Sequence, residues 1–499
     1  MTWSGRHVVI LGMARQGTAL ARYLAVQGAI VTLSDMKSSE ALAAEMTTLA
    51  DALGPAARSI RYVLGGHPES LLNDCDMLCL SGGVPIDLPI VQQARRRGIM
   101  LSNDAQVFFS VCPAPIIGIT GSAGKTTTTA LTGEMLKLSF GDEPDGELPG
   151  AHALTHSTVN KTPHAAEHSA VRVWVGGNIG NPLIASVDDI QPTDRVVMEL
   201  SSFQLELMTA SPHLACVTNI TPNHLDRHKT MENYIAAKQH ILDFQHPGDW
   251  AVLGLDNDVT AQMITAGRRV VFSTHDEPVG DAAWLDAMEN LRVRIGAISM
   301  DVSIGNRREL LLLGEHNVQN VLAAMAISAL GGATPDAMRQ VATTYRGVAH
   351  RLQFIDEIRG VRYYDDSIAT APERLVAALR CFAQPVVLLC GGRDKHLPWG
   401  DAVRMMAQRC RCVLLFGEMA KLVADEARTQ QVAIDFTACD NLDQAVHEAA
   451  ARARPGDVVL LSPGGTSFDA FKDFEERGDV FVRLVHAMEE PHSTTGGNA

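Results

Sequence analysis

The stretch Gly118-Ile119-Thr120-Gly121-Ser122-Ala123-Gly124-Lys125-Thr126-Thr127 follows the apolar run 115–119 and leads into an amphipathic pattern that reaches about Leu138. It fits the pattern G-x-x-x-x-G-K-[ST], in which a glycine-rich turn lets backbone N–H groups approach phosphate oxygens and the next helix adds its positive end. Lys125 is expected to neutralise the terminal phosphates, and Thr126 to hold Mg²⁺. The sequence predicts a nucleoside triphosphate site, and the residues assigned to it are Gly121, Ser122, Ala123, Gly124, Lys125, Thr126 and Thr127.

The same pattern of apolar strand, turn and helix begins three times, at His7–Gly12, at 115–119 and at Pro385–Cys390. Such continuous apolar runs are typical of parallel strands that are buried on both faces. A chain of 499 residues is also longer than a single hydrophobic core usually supports. We predict an α/β protein of several domains, with boundaries near residues 113 and 348.

Net charge, cysteine spacing and the lengths of the apolar segments limit the classes of function that the protein can have. The formal charge of −15 argues against nucleic acid as the main partner, because no basic field attracts a phosphate backbone. Nine irregularly spaced cysteines do not form a disulfide framework and favour buried thiols in a reducing compartment. Neither a signal segment nor a membrane-spanning run is recognised, so we expect a cytoplasmic protein without membrane contact.

Two segments lack regular patterning. Residues 139–170 are rich in Gly, Pro, His and acidic residues and are predicted to form a flexible surface insertion. The tail after Glu490 is polar and Gly-rich and is predicted to be disordered.

The N-terminal turn Gly12-Met13-Ala14-Arg15-Gln16-Gly17 is a degraded G-x-G-x-x-G motif, with Ala14 at the middle glycine position. Asp35 ends the next predicted strand, where dinucleotide-binding folds place a ribose-binding carboxylate. The motif is weak by itself, because a tight turn without a ligand explains it about as well.

A second set of polar residues follows the phosphate loop. Glu199 ends an apolar run and is a candidate Mg²⁺ ligand, although a carboxylate at a strand end also often caps a helix. His224 and Lys238 come next, and either of them alone would be read as an ordinary surface or core-edge residue. The pattern is informative only as a set.

As a set, these motifs resemble the Mur ligase family, and within it the branch that adds glutamate. The resemblance extends over nearly the whole chain. Its remaining motifs are 176–180 (GGNIG), 199–204 (ELSSFQ), 219–227 (NITPNHLDR), 314–320 (GEHNVQN), His350-Arg351, 366–370 (DSIAT), 391–395 (GGRDK) and 461–474.

The resemblance implies three α/β domains. A Rossmann-like domain (1–113) would bind a uridine nucleotide, a central ATPase with a mainly parallel sheet (114–347) would bind ATP, and a Rossmann-like C-terminal domain (348–499) would bind the amino acid. It further implies ATP, two Mg²⁺ ions, the substrates UDP-N-acetylmuramoyl-L-alanine and glutamate, and a monomeric enzyme.

The resemblance also implies roles for single residues. The metal ligands would be Thr126, Glu199, His224 and Lys238, with Lys238 carbamoylated because an unmodified ammonium would repel the cation. The catalytic residues would be Lys125, Glu199, His224 and Lys238. Further ATP contacts would be Asn317, Asn320, Arg351 and Asp366. Contacts to the acceptor or to glutamate would be Arg15, Gln16, Asp35, Gly83, Asn178, Ser201, Gln204, Thr370, Lys395, Ser467 and Phe474.

The implied reaction is phosphoryl transfer from ATP to the acceptor carboxylate, followed by attack of the glutamate amine on the acyl phosphate. Ala123 and Ile368 depart from the family pattern, which commonly has Asn and Lys at these positions. The sequence leaves the D and L isomers of glutamate open. A ligase similar to folylpolyglutamate synthase is a further alternative, although such an enzyme would lack the domain that precedes the phosphate loop here.

Overall fold

The computed structural model describes residues 2–141, 171–275 and 277–488. Within these residues the chain divides into two compact units. The first extends to residue 343 except for 310–314, and the second comprises 310–314 and the chain from Thr344 onward.

The first unit begins with a sheet in which the described residues form five parallel strands in the order β3-β2-β1-β4-β5. Its strands are β1 (His7–Leu11), β2 (Ile30–Asp35), β3 (Ile60–Leu64), β4 (Met77–Leu80) and β5 (Met100–Ser102). Its helices are α1 (Arg15–Val26), α2 (Ala43–Leu53), α3 (Pro89–Arg96) and α4 (Asp104–Val111). Four of the five β1 residues are fully buried, as expected for a central parallel strand.

A second sheet of the same unit has the order β14-β13-β12-β11-β10-β9-β6-β8-β7 in the part of the chain described. Its strands are β6 (Ile116–Thr120), β7 (Val173–Gly177), β8 (Arg195–Glu199), β9 (Leu214–Val217), β10 (Trp250–Gly254), β11 (Arg268–Ser273), β12 (Ala282–Leu285), β13 (Asn290–Ile295) and β14 (Met300–Asn306). Its helices are α5 (Lys125–Phe140), α6 (Ser202–Leu205), α7 (Leu225–His228), α8 (Met231–Asp243), α9 (Asp258–Ala261), α10 (Glu315–Gly331) and α11 (Pro335–Thr344). Strands β6 to β12 are parallel, whereas β13 is antiparallel to both of its neighbours.

The second unit contains a sheet with the order β15-β16-β20-β17-β18-β19, again counted over the described residues. Its strands are β15 (Gln353–Ile358), β16 (Val361–Asp365), β17 (Val386–Gly391), β18 (Cys410–Phe416), β19 (Phe436–Ala438) and β20 (Val458–Gly464). Its helices are α12 (Pro372–Arg380), α13 (Gly400–Arg409), α14 (Ala420–Thr429), α15 (Leu442–Arg452) and α16 (Phe474–Ala487). Strand β15 is antiparallel to β16, and the other pairs are parallel.

Short 3₁₀ helices complete the described part of the chain. They are Gly54–Ser59, Glu69–Leu72, Leu183–Asp189, Gly296–Ile298 and Arg307–Glu309.

Apolar side chains cover both faces of each parallel region. In the third sheet, Leu388 packs in a core with Leu375, whereas its neighbour Leu389 packs in another core on the opposite face with Phe481. In the first unit, one buried cluster extends from Leu24 of α1 to Ile184 of the central domain. The first two sheets therefore share a core, which explains why they form a single unit.

The structure confirms the predicted α/β class and the three mainly parallel sheets. The antiparallel pair β13–β14 was not anticipated, although β13 alternates buried and partly exposed residues as a one-sided strand does. The predicted domain boundaries at 113 and 347 stay predictions. The predicted insertion at 139–170 and the tail after Glu490 lie outside the described residues, apart from 139–141, where α5 ends.

The nine cysteines, all within the described residues, are free. Burial raises the pKa of the Cys79, Cys216 and Cys390 thiols far above its usual range. These side chains behave as apolar core groups, as the sequence predicted. Among the described helices, none has both the length and the apolar character needed to cross a membrane.

Candidate active site

The phosphate loop connects β6 to α5 at the carboxyl edge of the second sheet. A Cβ added at Gly121 would lie 1.9 Å from Thr218 Oγ1, and one added at Gly124 would lie 2.1 Å from Asn320 Oδ1. Both glycines also have positive φ, at +153° and +82°. The backbone must therefore be bare at these two positions for the loop to pack against β9 and α10.

The side chain of Asn219, which follows β9, forms hydrogen bonds with the backbone of the phosphate loop. Its Oδ1 accepts from the Ala123 N–H at 3.0 Å, and its Nδ2 donates to the Ala123 carbonyl at 3.1 Å. Thr218 Oγ1 donates to the same carbonyl at 2.7 Å. The loop is thus fixed at Ala123 through its backbone, so the small side chain does not leave this position unsupported.

Lys125 begins α5, and its ammonium lies over the loop. The Nζ atom donates to the carbonyls of Gly121 and Ser122 at 2.9 and 3.2 Å. A positive charge and the amino-terminal end of a 16-residue helix therefore lie together beside the glycine-rich turn. This arrangement suits the terminal phosphates of a nucleotide.

Thr126 and Glu199 are in direct contact. The Thr126 hydroxyl donates to Glu199 Oε2 at 2.8 Å, and Asn178 Nδ2 donates to Oε1 at 3.0 Å. Glu199 is only 2% exposed. Because β6 and β8 are adjacent parallel strands, residues that follow their carboxyl ends come together. A hydroxyl and a carboxylate are oxygen ligands of the type that Mg²⁺ prefers, so this pair fits the predicted metal.

Lys238 on α8 is almost completely buried under the loop, with 1% exposure. Its Nζ donates to the Gly121 carbonyl at 2.8 Å and to Thr120 Oγ1 at 3.2 Å, and lies 4.9 Å from the centre of the Tyr234 ring. Burial, reinforced by the charge of Lys125 and opposed by Glu199, holds the pKa of this amine well below its usual range. Burying an ammonium group is costly, which marks Lys238 as a functional candidate.

His224 precedes α7 in a left-handed conformation, with φ of +53°. Its ring packs edge-on to Phe203 at 5.2 Å. Partial burial, together with the positive charges of Lys125 and Lys238, lowers the pKa of His224. A neutral imidazole is the form that binds a metal.

The predicted acceptor contacts of the first unit lie around the same region. Gln16 Nε2 donates to the Gly177 carbonyl at 3.5 Å, next to Asn178. Asp35 accepts from the Met13 and Lys37 N–H groups, which joins the Gly12–Gly17 turn to the end of β2. Gln16 therefore brings the N-terminal turn beside the end of β7, whereas the Asp35 contacts stay within the first sheet.

Ser201 and Gln204 contact one another. Gln204 Oε1 accepts from the Ser201 N–H and hydroxyl at 3.1 Å, and the Ser201 hydroxyl accepts from the Gln204 N–H. The Gln204 amide nitrogen donates to both oxygens of Asp104, at 3.3 and 3.4 Å. Burial raises the pKa of Asp104 to about 6. Sequence reasoning missed Asp104, and the only signal was an acidic residue after the strand-like run ending at Ser102.

Asn317 and Asn320 lie in the first turns of α10, beside the phosphate loop. Asn320 Nδ2 donates to Asn317 Oδ1 at 3.0 Å, and Asn320 Oδ1 accepts from Thr128 Oγ1 at 3.5 Å. Asn320 Oδ1 lies against Gly124 of the loop, and the role of the pair beside ATP stays a prediction.

The other predicted residues belong to the second unit, at the carboxyl edge of its sheet. Asp366 follows β16, accepts from Ser462 Oγ at 2.9 Å and from the Leu352 N–H at 3.2 Å, and burial raises its pKa to about 7. The charge of Arg351 acts on the same carboxyl group. Lys395 Nζ donates to Thr370 Oγ1 at 3.0 Å.

Ser467 and Phe474 follow β20, at the carboxyl edge of the third sheet. Ser467 is 2% exposed, and its carbonyl accepts from the N–H groups of Ala470 and Phe471. The Phe474 carbonyl accepts from Ser367 Oγ at 2.8 Å. Sequence reasoning missed the fully buried Arg477, which donates to Ser367 and to the Gly465 carbonyl and so connects the loops after β16 and β20.

The chain matches known proteins over most of its length. Family models described as the Mur ligase MurD-like N-terminal domain, the Mur ligase middle domain and the Mur ligase glutamate ligase domain match residues 6–102, 119–328 and 350–465. The chain is 37% identical over 492 residues to a UDP-N-acetylmuramoylalanine–D-glutamate ligase of Acetivibrio thermocellus, with 97% of each chain covered. It is 39% identical over 483 residues to the protein of that name in Symbiobacterium thermophilum, covering 96% of this chain and 97% of that one.

Among solved structures, the UDP-N-acetylmuramate–alanine ligase of Thermotoga maritima matches with a TM-score of 0.53 and 17% identity, over 97% of this chain and 100% of that one. This likeness shows the fold. Since the identity to the two curated relatives extends over nearly the full length of each chain, the chain belongs to the Mur ligase family, whose members are ATP-dependent enzymes that form amide bonds.

Proposed function

We propose that the chain joins D-glutamate to the alanine carboxylate of UDP-N-acetylmuramoyl-L-alanine, with hydrolysis of ATP to ADP and phosphate, in the synthesis of peptidoglycan precursors. The observation that carries the proposal is that Lys125, Thr126, Glu199 and Lys238 all lie at the phosphate loop. The acceptor and the D isomer are taken from the activity for which the two relatives are named.

The reaction has two bond-forming steps. A carboxylate oxygen of the acceptor attacks the γ-phosphorus of ATP, the bond to the bridging oxygen breaks, and ADP leaves with that electron pair. The amine of glutamate then attacks the acyl carbon and loses a proton, and phosphate departs from the tetrahedral intermediate. Neither step requires an oxidant or a reductant.

Lys125 is assigned to the phosphates, because its ammonium already bridges two loop carbonyls beside their binding position. Its charge stabilises the equatorial oxygens as phosphoryl transfer proceeds. Asn317, Asn320, Arg351 and Asp366 are assigned to the remaining ATP contacts.

Thr126 and Glu199 are assigned to one Mg²⁺, and His224 with Lys238 to a second. Bound Mg²⁺ would neutralise phosphate charge during the transfer. The Lys238 amine is proposed to be a carbamate, since burial favours its neutral form and only a neutral amine adds to carbon dioxide. A carbamate would also supply the carboxylate oxygens that the cation prefers.

The acceptor is assigned to the first sheet and its border with the second, with contacts from Arg15, Gln16, Asp35, Gly83, Asn178, Ser201 and Gln204. Glutamate is assigned to the third sheet, with contacts from Thr370, Lys395, Ser467 and Phe474. The monomeric state and the domain boundaries near 113 and 347 belong to the same proposal.

A phosphate-release assay tests the proposed function. Purified protein receives ATP, Mg²⁺ and UDP-N-acetylmuramoyl-L-alanine, together with D-glutamate, L-glutamate or neither. We expect release with D-glutamate only. Release with L-glutamate only would retain the mechanism and change the product, whereas background release in all three reactions would refute the ligase assignment.

A further inference from the structure

Arg227 connects the first sheet to the second. It is the third residue of α7, the short helix that follows His224. Its Nη1 donates to the Gly83 carbonyl at 3.3 Å, and its Nη2 donates to the Val84 carbonyl at 3.2 Å. More than 140 residues separate the partners along the chain, so these bonds join the central domain to the N-terminal one.

The two carbonyls belong to the loop 81–85, which follows β4 at the carboxyl edge of the first sheet. The Ser81 N–H donates to the Leu11 carbonyl, and the Val84 N–H donates to the Ser81 carbonyl. The loop is thus anchored on one side to β1. On its other side, Arg227 bonds two consecutive carbonyls with the two arms of its guanidinium.

The aromatic ring of Phe203 packs against the guanidinium of Arg227. The Arg227 Cζ atom lies 4.5 Å from the centre of the Phe203 ring. The same ring packs edge-on to His224 and stacks on His228, with 5.2 Å between centroids in both cases. His228 Nε2 in turn lies 2.9 Å from Ser202 Oγ. Arg227, Phe203 and His224 therefore form one packed group.

Burial raises the pKa of the Glu206 carboxyl group and the charge of Arg227 opposes this rise, but the contact is not a direct ion pair. In the part of the chain that the structure describes, no carboxylate oxygen lies within 4.0 Å of its guanidinium. A half-buried guanidinium that donates to two carbonyls of another sheet fits a role in positioning, since weakly paired surface charges stabilise a fold little.

We propose that Arg227 is a positioning residue that holds the loop 81–85, and with it the bound uridine-linked acceptor, in register with His224 and the phosphate loop. This inference rests on the proposed function. The role requires the planar guanidinium of arginine, which presents two N–H donors in a fixed geometry. A lysine ammonium is a compact charge without two fixed, parallel donors and cannot replace it fully.

The test compares the wild type with Arg227→Met, Arg227→Lys and the control Arg97→Met. Arg97 is an arginine of the N-terminal domain whose contact with Glu69, at 3.8 Å, is long and exposed. Steady-state assays give kcat and KM for each substrate, and calorimetry gives the Kd of UDP-N-acetylmuramoyl-L-alanine without ATP. Thermal unfolding reports whether each variant is folded.

We expect Arg227→Met to raise the Kd and KM for the acceptor about tenfold, as the loss of two charge-assisted hydrogen bonds predicts, while the KM for ATP changes less than about twofold. Arg227→Lys should fall between Met and wild type, and Arg97→Met should match wild type. An unchanged acceptor Kd in folded Arg227→Met, full recovery in Arg227→Lys, or an equal rise in the KM for ATP would overturn the proposal.

If Arg227→Met does not fold, Phe203→Leu provides the test, because it removes the aromatic face and leaves the arginine in place. The same selective rise in acceptor Kd is expected, and its absence counts against the proposal. Inactive wild-type protein would instead refute the proposed function, so the two failures are distinguishable.

Discussion

The hydroxyl of Thr126 and the carboxylate of Glu199 are joined by a 2.8 Å hydrogen bond. Thr126 is the second residue of α5, and Glu199 ends β8, 73 positions further along the chain. Adjacent parallel strands bring them together, and the contact places a carboxylate beside the position where the phosphate loop would hold the end of a nucleotide.

Glu199→Gln should remove the charge with little change of shape. We expect kcat to fall about 10²–10³-fold, the scale found for loss of one electrostatic group in an active site, with acceptor affinity in the absence of ATP unchanged. Glu134→Gln, at the partly buried acidic end of a 3.8 Å ion pair within α5, is the matched control. Retained kcat in Glu199→Gln would remove Glu199 from the proposed metal site.

Lys125→Ala should abolish turnover and leave binding of the uridine-linked acceptor nearly intact, because the acceptor is assigned to the first sheet. The control Lys137→Ala removes a lysine from the last turn of the same helix. Assays of kcat and calorimetric titration with the acceptor check this prediction. Loss of both properties in Lys125→Ala would contradict the separate assignment of the two sites.

Lys238→Ala should lose activity and regain part of it when a short carboxylate such as acetate is added, since acetate can replace the carboxylate of the proposed carbamate. Lys125→Ala serves as the control, and acetate should not restore it. Burial also lowers the pKa of the Lys238 amine in the wild type, which raises the share of the neutral form that can add to carbon dioxide. Absence of rescue in Lys238→Ala would count against the carbamate.

Asp104 makes a prediction about stability. Burial raises its pKa from 3.8 to about 6, so between these values the folded state binds more protons than the unfolded state. Stability then decreases as pH rises through this window, by about 3 kcal/mol for a shift of about 2 pKa units. Asp104→Asn removes the titration. Its melting temperature relative to wild type should therefore increase between pH 4 and pH 7, and a difference that does not depend on pH would contradict the assignment.

Much of the fold was predictable, because the runs that became β1, β6, β17 and β20 are continuously apolar and occur in α/β order. The phosphate loop was predictable for a related reason, since its backbone chemistry demands glycine at 121 and 124. Both features can be read from short, continuous segments of the sequence.

Contacts between distant segments were not predictable in the same way. The hydrogen bonds of Arg227 with Gly83 and Val84, and those of Asp104 with Gln204, join positions that are 100 or more residues apart. Nothing in the spacing of an ordinary Arg or Asp indicates which carbonyl or amide it will meet. The hairpin β13–β14 was missed because short alternating strands give a weak signal beside the long apolar runs.

The most direct test of the central claim follows one oxygen atom. UDP-N-acetylmuramoyl-L-alanine labelled with oxygen-18 in its alanine carboxylate is incubated with the protein, ATP, Mg²⁺ and D-glutamate, and the phosphate is analysed by mass spectrometry. An acyl phosphate requires the carboxylate oxygen that attacked phosphorus to leave with the phosphate, so one oxygen-18 per phosphate released is predicted, together with the glutamyl product. Product formed with unlabelled phosphate would contradict the acyl-phosphate mechanism.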